Sequence, residues 1–352
     1  MRILYFLLCN FLFFQPIYSF QRYKIPTPYL YKNNQPQINI RSQSNDISLD
    51  HNKKINIIKK IKSISSLIRS VNILPTLFLT FSGGWIIKPS INTLLYSRQF
   101  ILANIVTLLV MSLSMVLNDL YDIELDKTNN PMRPLITGEI TKKEAILFSS
   151  ILLGIIKILS IIFLPHKLDQ IVNIVLFGIG IYTPVIKKIP FLKNIFCALV
   201  ISFSIYYSGL AIEPNLIHKT MNYPILLTTI RYIFLGSLTI ELLLDICDVE
   251  GDKNNNIMTL PVLIGKERTW YFICSLIEFN MYNISSIISI NTIRNVLLQY
   301  NNTIIMLLFF PIIIDIYNIK KNNFKKETII NAVKSSTIPM FFMLLYMCIL
   351  AT

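Results

Sequence analysis

The sequence predicts an all-α polytopic membrane protein, a bundle of nine transmembrane helices. Three observations carry this reading. The 352 residues are 53% hydrophobic and only 15% charged, with a mean hydropathy of +0.55. Nine apolar runs follow one another, at roughly 67–87, 100–122, 144–164, 170–186, 194–212, 224–247, 270–290, 302–318 and 334–351. Several reach the ~20 residues that a bilayer-crossing helix needs. The third observation is sidedness. If all nine runs cross, the loops on one side carry fourteen Lys or Arg and those on the other side five. That is the asymmetry expected between two faces of a membrane. It also accounts for the formal charge of +14, which in a soluble chain would point to nucleic acid. The expected partner is therefore the lipid bilayer, with no nucleic acid.

Taken in order, residues 1–19 run from Met1-Arg2 through an apolar Ile3–Phe14 to Ser19, the pattern of a secretory signal peptide. Residues 20–62 carry nine Lys or Arg against Asp46 and Asp50, with many Asn, Ser and Gln. Together the two segments resemble the two-part address of proteins sent to plastids behind extra membranes. A disordered cytosolic tail is the competing reading of the second segment, and a mitochondrial inner or endoplasmic reticulum membrane the competing destination. Residues 63–352 form one membrane domain, because the apolar runs are joined by short connections. Pro and Gly inside several runs are tolerated in such bundles. The cysteines (Cys9, Cys197, Cys247, Cys274, Cys348) lie in or beside apolar runs and show no CxxC or Cys/His cluster. Neither zinc nor a disulfide framework is expected.

The second run ends in Asn118-Asp119-Leu120-Tyr121-Asp122-Ile123-Glu124-Leu125-Asp126, and the sixth in Asp245-Ile246-Cys247-Asp248-Val249-Glu250-Gly251-Asp252. On a helix continuing through Asp126, the three aspartates at i, i+3 and i+7 share one face, within an arc of roughly 60°. Asp245, Asp248 and Asp252 have the same offsets, with Gly251 able to loosen the last turn. Bare carboxylates this close repel one another. Such clusters usually hold a cation, and oxygen ligands that leave positions open for water and phosphate suit Mg2+.

The cations on the same face complete a diphosphate site in outline. Tyr182 and Lys187 close the fourth run, and Lys127, Arg133 and Gly138 follow the first acidic motif. Metal would bind the diphosphate oxygens while Lys and Arg neutralise the rest. Arg133 and Lys187, beside the acidic helix ends, are read as functional. Lys142, Lys143 and the lysines at 320–326 are read as topology signals only. Glu241 sits one turn before Asp245 on the same face. Arg231, within the same run, is read as half of an interhelical pair.

These motifs resemble those of the UbiA superfamily of intramembrane prenyltransferases. Asn118-Asp-x-x-Asp122-x-x-x-Asp126 with Arg133-Pro-Leu and Gly138 is similar to its first signature. Asp245-x-x-Asp248-x-x-Gly-Asp252 is similar to its second. Tyr182 with Lys187 resembles the element between them, and Arg69-Ser-Val-Asn72 an Arg-Pro-x-Asn start with Ser70 in place of proline. The resemblance spans about 65–350. It implies a central cavity in which Mg2+ bridges the aspartates to a polyprenyl diphosphate. By the same resemblance Asp119, Asp122 and Asp126 serve one metal site and Asp245, Asp248 and Asp252 the other. Arg133 and Lys187 hold phosphate oxygens, Asn72 and Asn118 orient diphosphate or metal-bound water, and Tyr182 offers a hydroxyl near the leaving group.

The second motif, with Thr259-Leu260-Pro261 after it, looks closer to the homogentisate, chlorophyll and ether-lipid branches than to the hydroxybenzoate branch. The expected reaction is prenyl transfer to an aromatic quinone or tocopherol precursor, with chlorophyllide or a glycerol-phosphate lipid as alternative acceptors. An ion-coupled transporter is the competing class. It would place acids near the bilayer midplane in an inverted repeat, whereas here they cap helix ends on one side.

Overall fold

A computed structural model describes residues 59–215, 221–254, 257–288 and 300–352. The signal-like segment 1–19 and nearly all of the basic segment 20–62 lie outside these residues. Among the described residues every regular element is helical. A 3-10 turn, Ser70–Asn72, leads into α1 (Ile73–Ile87). The short α2 (Ile91–Tyr96) and the 24-residue α3 (Arg98–Tyr121) follow, then α4 (Ile123–Asn129), α5 (Lys142–Phe163) and α6 (His166–Tyr182). The second half comprises α7 (Leu192–Ile212), α8 (Tyr223–Asn254), α9 (Leu260–Ile264), α10 (Lys266–Ile288), α11 (Asn301–Lys321) and α12 (Lys326–Leu350). Each apolar run of the sequence falls on one of these helices. Six of them, α1 with its 3-10 turn, α3, α5, α7, α11 and α12, are long and apolar enough to cross a membrane.

Local chemistry sets the boundaries. Lys88, extended as the residue before Pro89 must be, ends α1. The Ser90 and Ser97 side chains accept from the backbone N–H of Thr93 and Phe100 to start α2 and α3. Thr141 and Glu144 form a capping box that opens α5. Gly138 takes φ +75° in the loop before it, a backbone that L side chains rarely adopt.

The burial pattern is that of a lipid-solvated helix. On α5, Ala145, Ser149, Leu152, Ile156 and Ser160 face inward, while Leu147 (63% exposed), Ile158 and Ile162 face out. Small and polar groups inside with large aliphatics outside make sense where the surrounding solvent is itself apolar.

Two apolar clusters divide the bundle. One joins α3, α5 and α6, through residues such as Val106, Val116, Ile156 and Val172. The other joins α8, α10, α11 and α12, through Leu242, Ile246, Ile273, Ile305 and Met343. α7 contributes to both, with Ala198 and Ile205 in the second and Tyr207 and Ala211 in the first. α1 crosses α7 at Gly83, where a Cβ would lie 2.2 Å from the Ile205 carbonyl oxygen. The Ser208 hydroxyl donates to the Thr80 carbonyl at the same crossing.

One expectation changes here. The first acidic helix does not run through Asp126. It stops at Tyr121, Asp122 leaves helical geometry (φ −91°, ψ 11°), and α4 starts afresh. Before the 3-10 turn there is one more helical stretch. Residues 59–67 are helical, with Lys59 3.7 Å from Glu139 and Lys60 2.7 Å from Glu144. Ser63 donates to Glu139 at 2.7 Å, and that hydrogen bond, helped by Lys59, holds the Glu139 carboxyl below the usual carboxylate range.

Candidate active site

The break at Asp122 folds the first acidic motif over a guanidinium. Nη1 of Arg133 bonds Asp119, and bonds Asp126 at 2.6 Å. Both carboxylates are buried. Arg69, in the left-handed turn before Ser70, reaches Asp119 from the other side at 3.2 Å. Asp122 is held separately by Lys187, from the 3-10 turn Ile186–Lys188 after α6. Asn130 donates to Asp126 at 3.0 Å.

The second motif stays on one continuous helix. α8 continues to Asn254 through Gly251, with Ile246 and Val249 buried along the way. Its 32 residues make a rod of about 48 Å, longer than a hydrocarbon core of about 30 Å. Asp245 is buried and bonded by Lys193 at 2.6 Å and Asn194 at 3.0 Å, both from the start of α7. Asp248 pairs with Lys326 at 3.0 Å, each about half exposed. Asp252 accepts from the Thr259 hydroxyl at 3.1 Å.

The two motifs meet. Arg69, bonded to Asp119, also acts electrostatically on Glu241 of α8. Tyr182 senses both Asp122 and Glu241, and Lys193 senses Asp245, Asp252 and Glu241. The segment between α6 and α7 joins the two ends at one rim, since Lys187 bonds Asp122 and Lys193, six residues on, bonds Asp245. The Tyr182 ring stacks on Phe196 with centroids 5.3 Å apart, and its oxygen accepts from the Cys197 thiol at 3.2 Å. Asn72 and Asn118 lie at this end too, both half-buried. Their backbone carbonyls accept from Thr76 and Asp122.

Several participants differ from the sequence reading. Lys193 and Asn194 hold Asp245, and their only signal was a polar pair opening the fifth run. Arg69 was visible in its motif but carried no role. Lys326, read as a topology signal, grips Asp248. Arg231 is exposed and makes no ion pair or hydrogen bond with any described residue. The expected interhelical pair is thus not found: its place on α8 turns it outward.

The six aspartates offer oxygen donors only, the set a hard divalent ion takes. Among the described residues no three acids already converge into a metal cage. Each carboxylate except that of Asp252 is instead neutralised by Arg or Lys. The donor chemistry fits an ion that takes part of its coordination from phosphate oxygens and water.

A many-helix bundle with two acidic helix ends opposed by cations at one rim defines a polytopic membrane protein of the prenyltransferase class. The UbiA prenyltransferase family model matches residues 76–345, and the chain belongs to that family. The digeranylgeranylglyceryl phosphate synthase of Sulfolobus acidocaldarius is 34% identical over 215 residues, 60% of this chain and 72% of that protein. A solved structure of a digeranylgeranylglyceryl phosphate synthase in membranes is similar with TM-score 0.63 at 26% identity, covering 83% of this chain and 98% of its own. A UbiA homolog from Archaeoglobus fulgidus bound to GPP and Mg2+ has the same fold, with TM-score 0.59 at 20% identity over 82% of this chain and 99% of its own.

Proposed function

We propose that this chain is a magnesium-dependent enzyme that moves a polyprenyl group from its diphosphate to the hydroxyl of a glycerol-phosphate lipid, releasing diphosphate. The observation that supports the reading is the pairing of Asp126 with Arg133, of Asp122 with Lys187 and of Asp245 with Lys193, the two lysines lying on one short segment. All nine apolar runs cross the bilayer in this reading, and the rim lies on the face with more Lys and Arg. The aromatic acceptor expected from the sequence gives way to the lipid alcohol, because the similar curated proteins are named for a digeranylgeranylglyceryl phosphate product.

Asp119, Asp122 and Asp126 with Asp245, Asp248 and Asp252 would hold the metal. When bound, Mg2+ supplies positive charge to the departing diphosphate. Arg133 and Lys187 neutralise the remaining phosphate oxygens as the allylic C–O bond lengthens. The Tyr182 hydroxyl stands beside the leaving group, and Asn72 and Asn118 orient it. The apolar walls keep water from the electron-poor carbon.

Incubating membranes with labelled geranylgeranyl diphosphate and, in turn, geranylgeranylglyceryl phosphate, homogentisate and chlorophyllide tests the reading. Label should enter the glyceryl phosphate with magnesium-dependent release of diphosphate. Label entering only homogentisate or chlorophyllide would refute the acceptor. Cation uptake without diphosphate release would refute the enzyme in favour of a transporter.

A further inference from the structure

Resting on that reading, we propose that Glu241 is the catalytic base that takes the proton of the acceptor hydroxyl. Glu241 is half-buried and makes no hydrogen bond or ion pair with any described residue. The other polar groups around it are engaged. Asp245, one turn nearer the rim, is bonded by Lys193 and Asn194. Tyr182 and Cys197 are bonded to each other. Arg69 is paired with Asp119. Glu241 acts electrostatically on Tyr182 of α6 and on Lys193 and Cys197 of α7, and Arg69 and its own helix's Asp245 act on it. It therefore faces the space these elements enclose.

Depth decides the role. α8 carries its aspartates toward the rim, so Glu241 lies about 6 Å further into the bilayer than Asp245. A diphosphate held at the rim leaves its first prenyl carbon on the inner side, where Glu241 stands. During transfer the C1–O bond to diphosphate breaks and its electron pair leaves with the diphosphate. The acceptor oxygen forms a bond to C1, and its O–H electrons stay on that oxygen. The proton needs a base beside the new bond in a space that excludes water. Glu241 is the carboxylate there with its lone pairs unclaimed.

Replacement of Glu241 by Gln keeps the shape and removes the base. Wild type is assayed first with geranylgeranyl diphosphate and geranylgeranylglyceryl phosphate, and a wild type without transfer would overturn the underlying reading before any variant is compared. In Glu241→Gln, kcat for transfer should fall at least ~100-fold. The Kd for geranylgeranyl diphosphate and the slow acceptor-free release of diphosphate should stay at wild-type values, because neither needs a base. Glu241→Asp should recover part of the transfer. Unchanged kcat in Glu241→Gln would overturn the proposal. So would parallel loss of prenyl diphosphate binding and of acceptor-free release, which would make Glu241 a positioning residue.

Discussion

The two acidic helix ends share one spacing and differ in almost everything else. The first is bent at Asp122 and wrapped around Arg133, with Asp119 and Asp126 out of reach of solvent. The second is unbroken, compensated mainly by lysines, and runs from a buried Asp245 to an Asp248 that is 58% exposed. A guanidinium can hold two carboxylates at once in fixed geometry, whereas an ammonium on a flexible stem is a point charge. The first end thus forms a rigid floor and the second an adjustable edge.

That contrast can be broken at three places. The largest effect should come from Arg133→Ala, which strands two buried carboxylates at a cost of about 3–5 kcal/mol. Denaturant titration in detergent should show the loss of stability, and Arg133→Lys should recover part of it, since a single nitrogen holds both carboxylates and an ammonium keeps the charge on a shorter stem. Lys193→Ala comes next. Asn194 still bonds Asp245, so the loss should be about 1–3 kcal/mol by the same titration. Equal losses in the two variants would erase the distinction between floor and edge. Lys326→Ala should cost at most about 1 kcal/mol, falling further in high salt, because its pair is exposed. Turnover of Asp122→Ala and Asp248→Ala sharpens the comparison functionally. Both should be inactive at limiting magnesium while remaining inserted and folded, whatever their difference in exposure.

Much of the bundle could be read from hydropathy alone, because the 20-residue apolar run is set by bilayer thickness rather than by tertiary context. The acidic spacing was equally plain, since same-face geometry follows from helical periodicity. The break at Asp122 was not, as no Gly or Pro marks it. It shows itself only where Arg133 folds back to collect Asp119 and Asp126. Nor were Lys193 and Lys326 assignable, because a lysine at a helix end looks the same whether it fixes topology or neutralises an acid 52 or 78 residues away. Only packing between helices distinguishes these roles.

The notch at Gly83 bears on the order in which the molecule is made. Its partner backbone at Ile205 lies more than a hundred residues later in the chain. Since synthesis proceeds from the N-terminus, α1 is made well before the backbone that fills its notch. The close crossing of the two helices therefore forms only after α7 has been made.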